Sequence, residues 1–125
     1  MFKDLKGKIL KSIEGKVGDN KMAFITKDGR RFVLYHEQDC CEDVTIEDID
    51  GDLDDLLNSK ILMARESCSD KNPKGFNNQY ILEYQDSFTW TFYKLRTMKG
   101  SVTIRWYGGS NGYYSEEVGF IEVKK

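Results

Sequence analysis

The residues best suited to chemistry are crowded into one stretch, His36-Glu-Gln-Asp-Cys-Cys-Glu42. It opens a tract, 37–59, with ten acidic side chains and no Lys or Arg. The chain's one His and two of its three Cys lie at the start of this stretch. Imidazole and thiolate are metal-ligand types, but adjacent Cys40 and Cys41 lack the C-x-x-C spacing that closes a tetrahedral site. Cys68 is the remaining thiol, and one buried plus one half-exposed Cys is the commoner use of such a pair. Asp48-Ile-Asp-Gly-Asp52 begins like a calcium loop, yet Leu53 stands where that loop needs Gly and Ser59 where it needs a bidentate Glu. Calcium is therefore excluded. A Cys–His nucleophile pair normally meets across a fold, whereas His36 is only four residues from Cys40. The expectation is no catalytic residue, no metal and no cofactor. A metal-dependent enzyme centred on His36 and Cys40/Cys41 stands as an alternative.

A second constellation surrounds the glycine-rich stretch 108–112. Arg105, Trp106, Tyr107, Asn111, Tyr113 and Tyr114 flank it. The stretch follows a strand pattern but opens no helix, so neither the Walker nor the dinucleotide fingerprint is present. A loose turn between two strands is the plain reading. An Arg among aromatic rings and amides can also stack on a base and pair with a phosphate, or form a protein-interface hot spot. The candidate ligand-binding set is His36, Gln38, Asp39, Trp90, Arg105, Asn111, Tyr113 and Tyr114. In it Arg105 pairs with phosphate, Trp90 or Tyr113 stacks, and Asn111 and Gln38 read polar edges.

A chain of 125 residues fits one domain, 1–125, with a single core. Seven Tyr, seven Phe and two Trp argue for a packed interior rather than disorder. No stretch approaches the roughly 20 apolar residues of a membrane span, and the first residues lack the apolar core of a signal peptide. Three Cys is an odd count, which fits free thiols in a cytosol. The net charge of −2 hides an asymmetry. Residues 1–36 carry nine basic and four acidic groups, the tract 37–59 contributes −10, and 60–125 carry ten basic and seven acidic groups. Such a chain is not a generic nucleic-acid binder, and its polarity bears on partner choice.

The pattern predicts an α+β domain: about seven mostly antiparallel strands with a short helical segment near 45–58. Strand patterns cover Leu5–Ile13, Met22–Thr26, Arg31–Tyr35, Lys60–Glu66, Gln79–Gln85, Phe88–Thr97, Val102–Tyr107 and Tyr113–Val123. Asp28-Gly29 and Met98-Lys99-Gly100-Ser101 read as hairpin turns. Thr45-Ile-Glu-Asp48 reads as a capping box, and Asp52 as the cap of a second short turn carrying Leu53, Leu56 and Leu57. In Phe88-Thr-Trp-Thr-Phe92 and Val102-Thr-Ile-Arg-Trp106, large apolar residues alternate with polar ones, giving each strand one buried face. Abundant aromatics and sheet edges in need of cover are compatible with a homo-oligomer.

Two signatures carry a resemblance. The first is His36-x-Gln-Asp-Cys-Cys-Glu42 followed by Val44-x-Ile-Glu-Asp-Ile49 and Gly51-Asp-Leu-x-Asp-Leu56. The second is Thr89-Trp-Thr-Phe-Tyr93, Lys99-Gly100, Ile104-Arg-Trp-Tyr-Gly108 and Ser110-Asn-Gly-Tyr-Tyr-Ser115. Together they resemble a family of small bacteriophage and prophage proteins of unknown function. The resemblance implies a setting, the host bacterial cytoplasm, rather than a reaction. The function expected is a non-enzymatic binding protein that modulates a host process, in one form a host-defence antagonist sequestering a nucleotide-like signal. Its partner is a nucleotide-like small molecule or a host protein, with no direct nucleic acid and no membrane. The other alternative is an acidic inhibitor whose 37–59 tract occupies a basic, nucleic-acid-binding surface of a host protein.

Overall fold

The computed structural model describes residues 1–37, 42–69, 87–110 and 115–123. Within them run β1 (Leu10–Glu14), β2 (Lys21–Thr26), β3 (Arg31–Tyr35), β4 (Asp43–Asp50), β5 (Met63–Ser69), β6 (Ser87–Arg96), β7 (Ser101–Ser110) and β8 (Gly119–Val123). They form two four-stranded sheets, ordered β1-β2-β3-β8 and β4-β7-β6-β5. Every neighbouring pair is antiparallel. Among the described residues the helical content is two 3-10 turns, Phe2–Leu5 and Leu53–Leu56. The domain is thus β-rich, and the expected α component is missing from the described residues.

The largest departure from the sequence pattern is β4, where 43–50 forms a strand rather than a capped helix. Val44, Ile46 and Ile49 are spaced by two and then three, which imitates helical periodicity. A β-bulge between Ile46 and Asp48 produces that spacing: one extra residue, Glu47, resets the phase so that Ile49 returns to the core side. Thr45 and Asp48 therefore sit in a ladder, not in a capping box. The second turn behaves as read, since the Asp52 carboxylate accepts from the Asp54 N–H at 3.0 Å and Leu56 is buried.

Other boundaries shift for local reasons. Gly7, at φ +90°, separates the Phe2–Leu5 turn from β1, so that strand starts at Leu10. β5 begins at Met63, three residues later than the pattern suggests. The expected strand Gln79–Gln85 lies outside the described residues. Both hairpins form as predicted. Gly29, at φ +89°, turns β2 into β3, and the Thr97 N–H bonds Gly100 O at 2.9 Å between β6 and β7.

The two sheets face each other across one core. Met22, Phe24, Phe32 and Leu34 come from the first sheet, and Val44, Ile46, Tyr93, Leu95, Ile104 and Trp106 from the second. Phe2 joins them, with its ring 6.3 Å from Phe24, 4.7 Å from Tyr93 and 5.5 Å from Phe120. Two sheet edges are met by neighbouring backbone. Residues 57–61 bond along β1, where Asn58 N–H donates to Leu10 O and Ile61 N–H to Lys8 O. The 16–19 turn closes on β4 at Ile46, whose N–H donates to Asp19 O.

Pleating sorts β5, β6 and β7 into two faces. Ala64, Leu95, Val102, Ile104, Tyr93 and Trp106 point to the core. Continuing the same alternation, Glu66, Cys68, Thr91, Thr89 and Ser110 share that inner face. The inner face is therefore apolar along most of its length and turns polar at one end. Phe88, Trp90, Phe92, Arg105 and Tyr107 lie on the opposite face. In β7 the apolar residues face the core as the pattern predicts. In the first half of β6 the faces are reversed: the threonines look inward and the aromatics outward.

Candidate functional site

The outer face holds the Arg and aromatic residues singled out by composition, and they engage one another. Arg105 Nε donates to Glu47 Oε2 at 2.5 Å, and its guanidinium carbon lies 5.1 Å from the Trp90 ring centroid. The bulge at Glu47 aims that carboxylate across the ladder. Trp90 is fully buried; its ring meets Tyr107 edge-on at 4.6 Å, and Tyr107 stacks with Phe88 at 6.3 Å. Arg105 is thus already paired with a carboxylate, and Trp90 offers no open ring face for a base.

His36, just past β3, is equally committed. Its side chain is 2% exposed and that of Glu42 is 0%. Nε2 lies 2.9 Å from Glu42 Oε1, and Nδ1 lies 2.8 Å from the Glu117 carbonyl oxygen. A carbonyl only accepts, so Nδ1 carries a proton. The proton between Nε2 and the carboxyl then makes the pair either an ion pair or two neutral groups, in both cases without net charge. With both ring nitrogens bonded, this imidazole cannot also ligate a metal or activate a thiol. What it does is fasten the 115–118 segment to the first sheet.

That segment forms one wall of a cavity of about 500 Å³ at the polar end of the inner face. The floor is Tyr93, Thr91 and Thr89 on β6, with Glu66 and Cys68 on β5 and Ser110 on β7; Ser115–Val118 closes it. Glu116 is the most tightly held wall residue. Thr89 Oγ1 donates to its Oε1 at 2.7 Å and Ser110 Oγ to its Oε2 at 2.6 Å. Both hydroxyls donate, so each carboxyl oxygen of Glu116 serves as an acceptor. Gly108 makes the approach possible, because a Cβ there would sit 3.0 Å from Glu116 Cβ and 3.1 Å from its carbonyl oxygen.

Tyr93 contributes an unusual group. Its hydroxyl is buried and has no hydrogen-bond partner of ordinary geometry. Burial, with the Glu66 carboxylate close by, raises its pKa above the ordinary 10.0, so it stays a neutral hydroxyl. A buried hydroxyl left without a partner is energetically costly, by about 1–3 kcal/mol. The indole N–H of Trp106 is likewise unpartnered, but it does not line the cavity. Among the described lining residues are three carboxylates, Glu66, Glu116 and Glu117, and no Lys, Arg or His. No group of three or more His, Cys, Asp or Glu among the described residues is arranged to hold a metal ion.

Residues 3–120 match the family described as a domain of unknown function, DUF7448. The chain belongs to that family. No curated protein and no solved structure matches it. The match spans the residues of the outer cluster, the buried His–Glu pair and the cavity alike.

Of the eight sequence-derived site residues, three are among the described residues of this DUF7448 domain, and those three are divided between two places. Trp90 and Arg105 lie on the outer face. His36 backs the cavity wall on the inner side, without lining the cavity. Gln38, Asp39, Asn111, Tyr113 and Tyr114 lie outside the described residues, as do Cys40 and Cys41. Sequence reasoning missed Glu66, Tyr93, Thr89, Ser110 and Glu116, and it missed Glu42 as the partner of His36. The one available signal was the alternation Thr89-x-Thr91-x-Tyr93, a polar face of period two.

Proposed function

We propose that this DUF7448 protein is a non-enzymatic, phage-encoded binding protein that acts in the bacterial cytoplasm and modulates a host process such as defence. It binds its ligand in the cavity between β5–β7 and the 115–118 segment. The observation that carries this reading is the cavity itself, about 500 Å³ with a polar lining in which Thr89 and Ser110 hold Glu116 in place. The commitment of the one His points the same way: it is buried with both ring nitrogens bonded. The phage setting rests on the resemblance of the two sequence signatures to phage and prophage proteins. Among the described residues no helix is long and apolar enough to cross a membrane.

The cavity argues against one form of the original expectation. A nucleotide brings phosphate charge into a lining with three carboxylates and no described cation, and Arg105 faces away, paired to Glu47. Native mass spectrometry of protein purified from its bacterial host, before and after mild denaturation, tests the reading. It predicts a released small mass, or a captured host protein, that is lost in Glu116→Gln. A bare protein mass together with no captured partner overturns it.

A second reading is favoured by a separate observation. Asp43, Asp48, Asp50, Asp52 and Asp54 are exposed along β4 and the following turn, with no ion-pair partner among the described residues. In this reading the acidic ridge docks on a basic surface of a host protein, and its binding weakens steeply with salt.

A further inference from the structure

We propose that the outer edge of β8 docks on β8 of a second copy of this chain, joining the two first sheets into one antiparallel sheet about a two-fold axis. The proposal stands apart from the cavity. In the sheet ordered β1-β2-β3-β8, the β1 edge is met by residues 57–61. Among the described residues only β3 bonds to the backbone of β8, so alternate N–H and C=O groups of β8 point away from the sheet.

Sheet edges are commonly blunted by outward charge, by proline or by a bulge. β8 carries none of these. It pairs with β3 in unbroken register, and its outward residues are Gly119, Ile121 and Val123. Its one charged residue, Glu122, lies on the inner side and is paired with Arg30 at 2.8 Å. Ala23, Val33 and Ile121 make a cross-strand row on the outer face, at 2%, 6% and 47% exposure. Ala23 and Val33 each have a strand on both sides, whereas Ile121 has one only. The row is apolar and stops where the next strand belongs, so an apolar residue completes it.

A second copy supplies that residue through its own Ile121. Two-fold pairing of Gly119–Val123 sets Ile121 opposite Ile121, Val123 opposite Gly119, and Phe120 opposite Glu122. At Gly119 the space of a side chain is taken by Tyr35, since a Cβ there would lie 2.9 Å from Tyr35 Cε1. Val123, 41% exposed, therefore meets an aromatic ring of the second copy. No like charges oppose one another in this register. A slip of two residues one way sets Glu122 against Glu122, which is repulsive. A slip the other way sets Ile121 against Gly119 and breaks the apolar row.

Five residues a side fall well short of the roughly 20–30 a side of a standard interface, so the dimer is weak. Its dissociation constant is expected between about 1 μM and 1 mM, and sedimentation equilibrium of the whole chain over that range reads it. Ile121→Lys puts a charge into the row and abolishes the dimer. Because Ile121 is exposed, the denaturation midpoint of that variant stays at the parent's. Asp52→Asn with Asp54→Asn, away from β8, leaves association unchanged.

Ile121→Cys keeps the test decisive if the Lys variant fails to fold. Cβ atoms directly opposite in a cross-strand pair lie about 4.5–5.5 Å apart, close to the span of a disulfide. With oxidised glutathione, Ile121→Cys is expected to form a covalent dimer beyond that of the parent chain, which has three Cys of its own. Val123→Cys, facing Gly119, is not. A chain that stays monomeric up to about 1 mM overturns the proposal and leaves the β8 edge to a strand of another protein. So does association that survives Ile121→Lys, association that falls with the Asp52/Asp54 change, or cross-linking through Val123→Cys as fast as through Ile121→Cys.

Discussion

The two faces of the β4-β7-β6-β5 sheet differ in how completely their polar groups are satisfied. On the outer face Arg105 has a carboxylate at 2.5 Å and an aromatic ring beneath it, and Trp90 is sealed from solvent. Charge and ring are matched within the protein, leaving little for a partner to improve. On the inner face, at its polar end, Glu116 borders a cavity of about 500 Å³ above the buried Tyr93 hydroxyl. Residue types that look most like a binding site thus form a closed cluster, while ordinary Thr, Ser, Glu and Tyr surround the cavity. Complementarity left incomplete is the better mark of a site than chemical glamour.

Removing one member of a buried pair separates the two regions most strongly. His36→Ala takes the imidazole away from the Glu42 carboxyl, which is 0% exposed, with an expected loss of about 3–5 kcal/mol in urea unfolding. Replacing His36 and Glu42 together by apolar residues recovers part of this, because the buried carboxyl that lost the imidazole is gone. The Glu117 carbonyl stays unpaired, so about 1–3 kcal/mol of the loss remains. A double variant no better than the single one breaks the account of a self-compensated pair.

Trp90→Ala empties the outer cluster and lowers stability by about 3–5 kcal/mol. The loss belongs to the outer face alone. Ligand affinity of the folded fraction therefore stays within about twofold, the spread expected of uncoupled sites. If affinity falls with stability, the faces are coupled and the comparison fails.

Tyr93→Phe reverses the sign. Deleting an unpartnered buried hydroxyl keeps the ring packing on Phe2 and is expected to raise ligand-free stability by about 1 kcal/mol. The pH dependence follows from the raised pKa. In the unfolded chain Tyr93 ionises near 10.0, whereas the folded protein retains its proton to higher pH. Above pH 10 the unfolded state binds fewer protons than the native one, so stability falls as pH rises through that range. The Phe variant lacks this component, and the gap between its denaturation midpoint and that of the parent widens above pH 10. A gap independent of pH places the hydroxyl outside the buried setting described.

How much of this was legible in the chain differs by level. Strand patterns in β2, β3, β6 and β7 and both hairpin turns were readable, because alternation and Asp-Gly chemistry act locally. β4 was not, since a bulge breaks the period of two and only a partner strand can stabilise one. The face of β6 was misread for a related reason. Phe88-Thr-Trp-Thr-Phe92 has a clear large-and-apolar side, but which side meets the other sheet is decided by Tyr93 and Leu95, which continue the threonine face into the core. The cavity joins residues from 66 to 118, and no spacing rule links Glu116 to Thr89 before the sheet is built. His36 looked reactive because it is the only imidazole; its two hydrogen bonds, to Glu42 and to a distant carbonyl, are tertiary facts.

The smallest expected effect lies on the acidic ridge, outside both faces. Asp52→Asn and Asp54→Asn together shift stability by no more than about 0.5 kcal/mol, because Asn at position 52 can still cap the Leu53–Leu56 turn and Asp54 is exposed. Their value lies in partner binding. If the protein works through its cavity, capture of the host ligand is insensitive to these changes and only weakly dependent on salt. If the ridge is the working surface, the double change removes two of its exposed charges, and affinity falls while its salt dependence flattens. A salt titration of the variant against the parent distinguishes the two, since the double change flattens the salt dependence only where the ridge carries the binding.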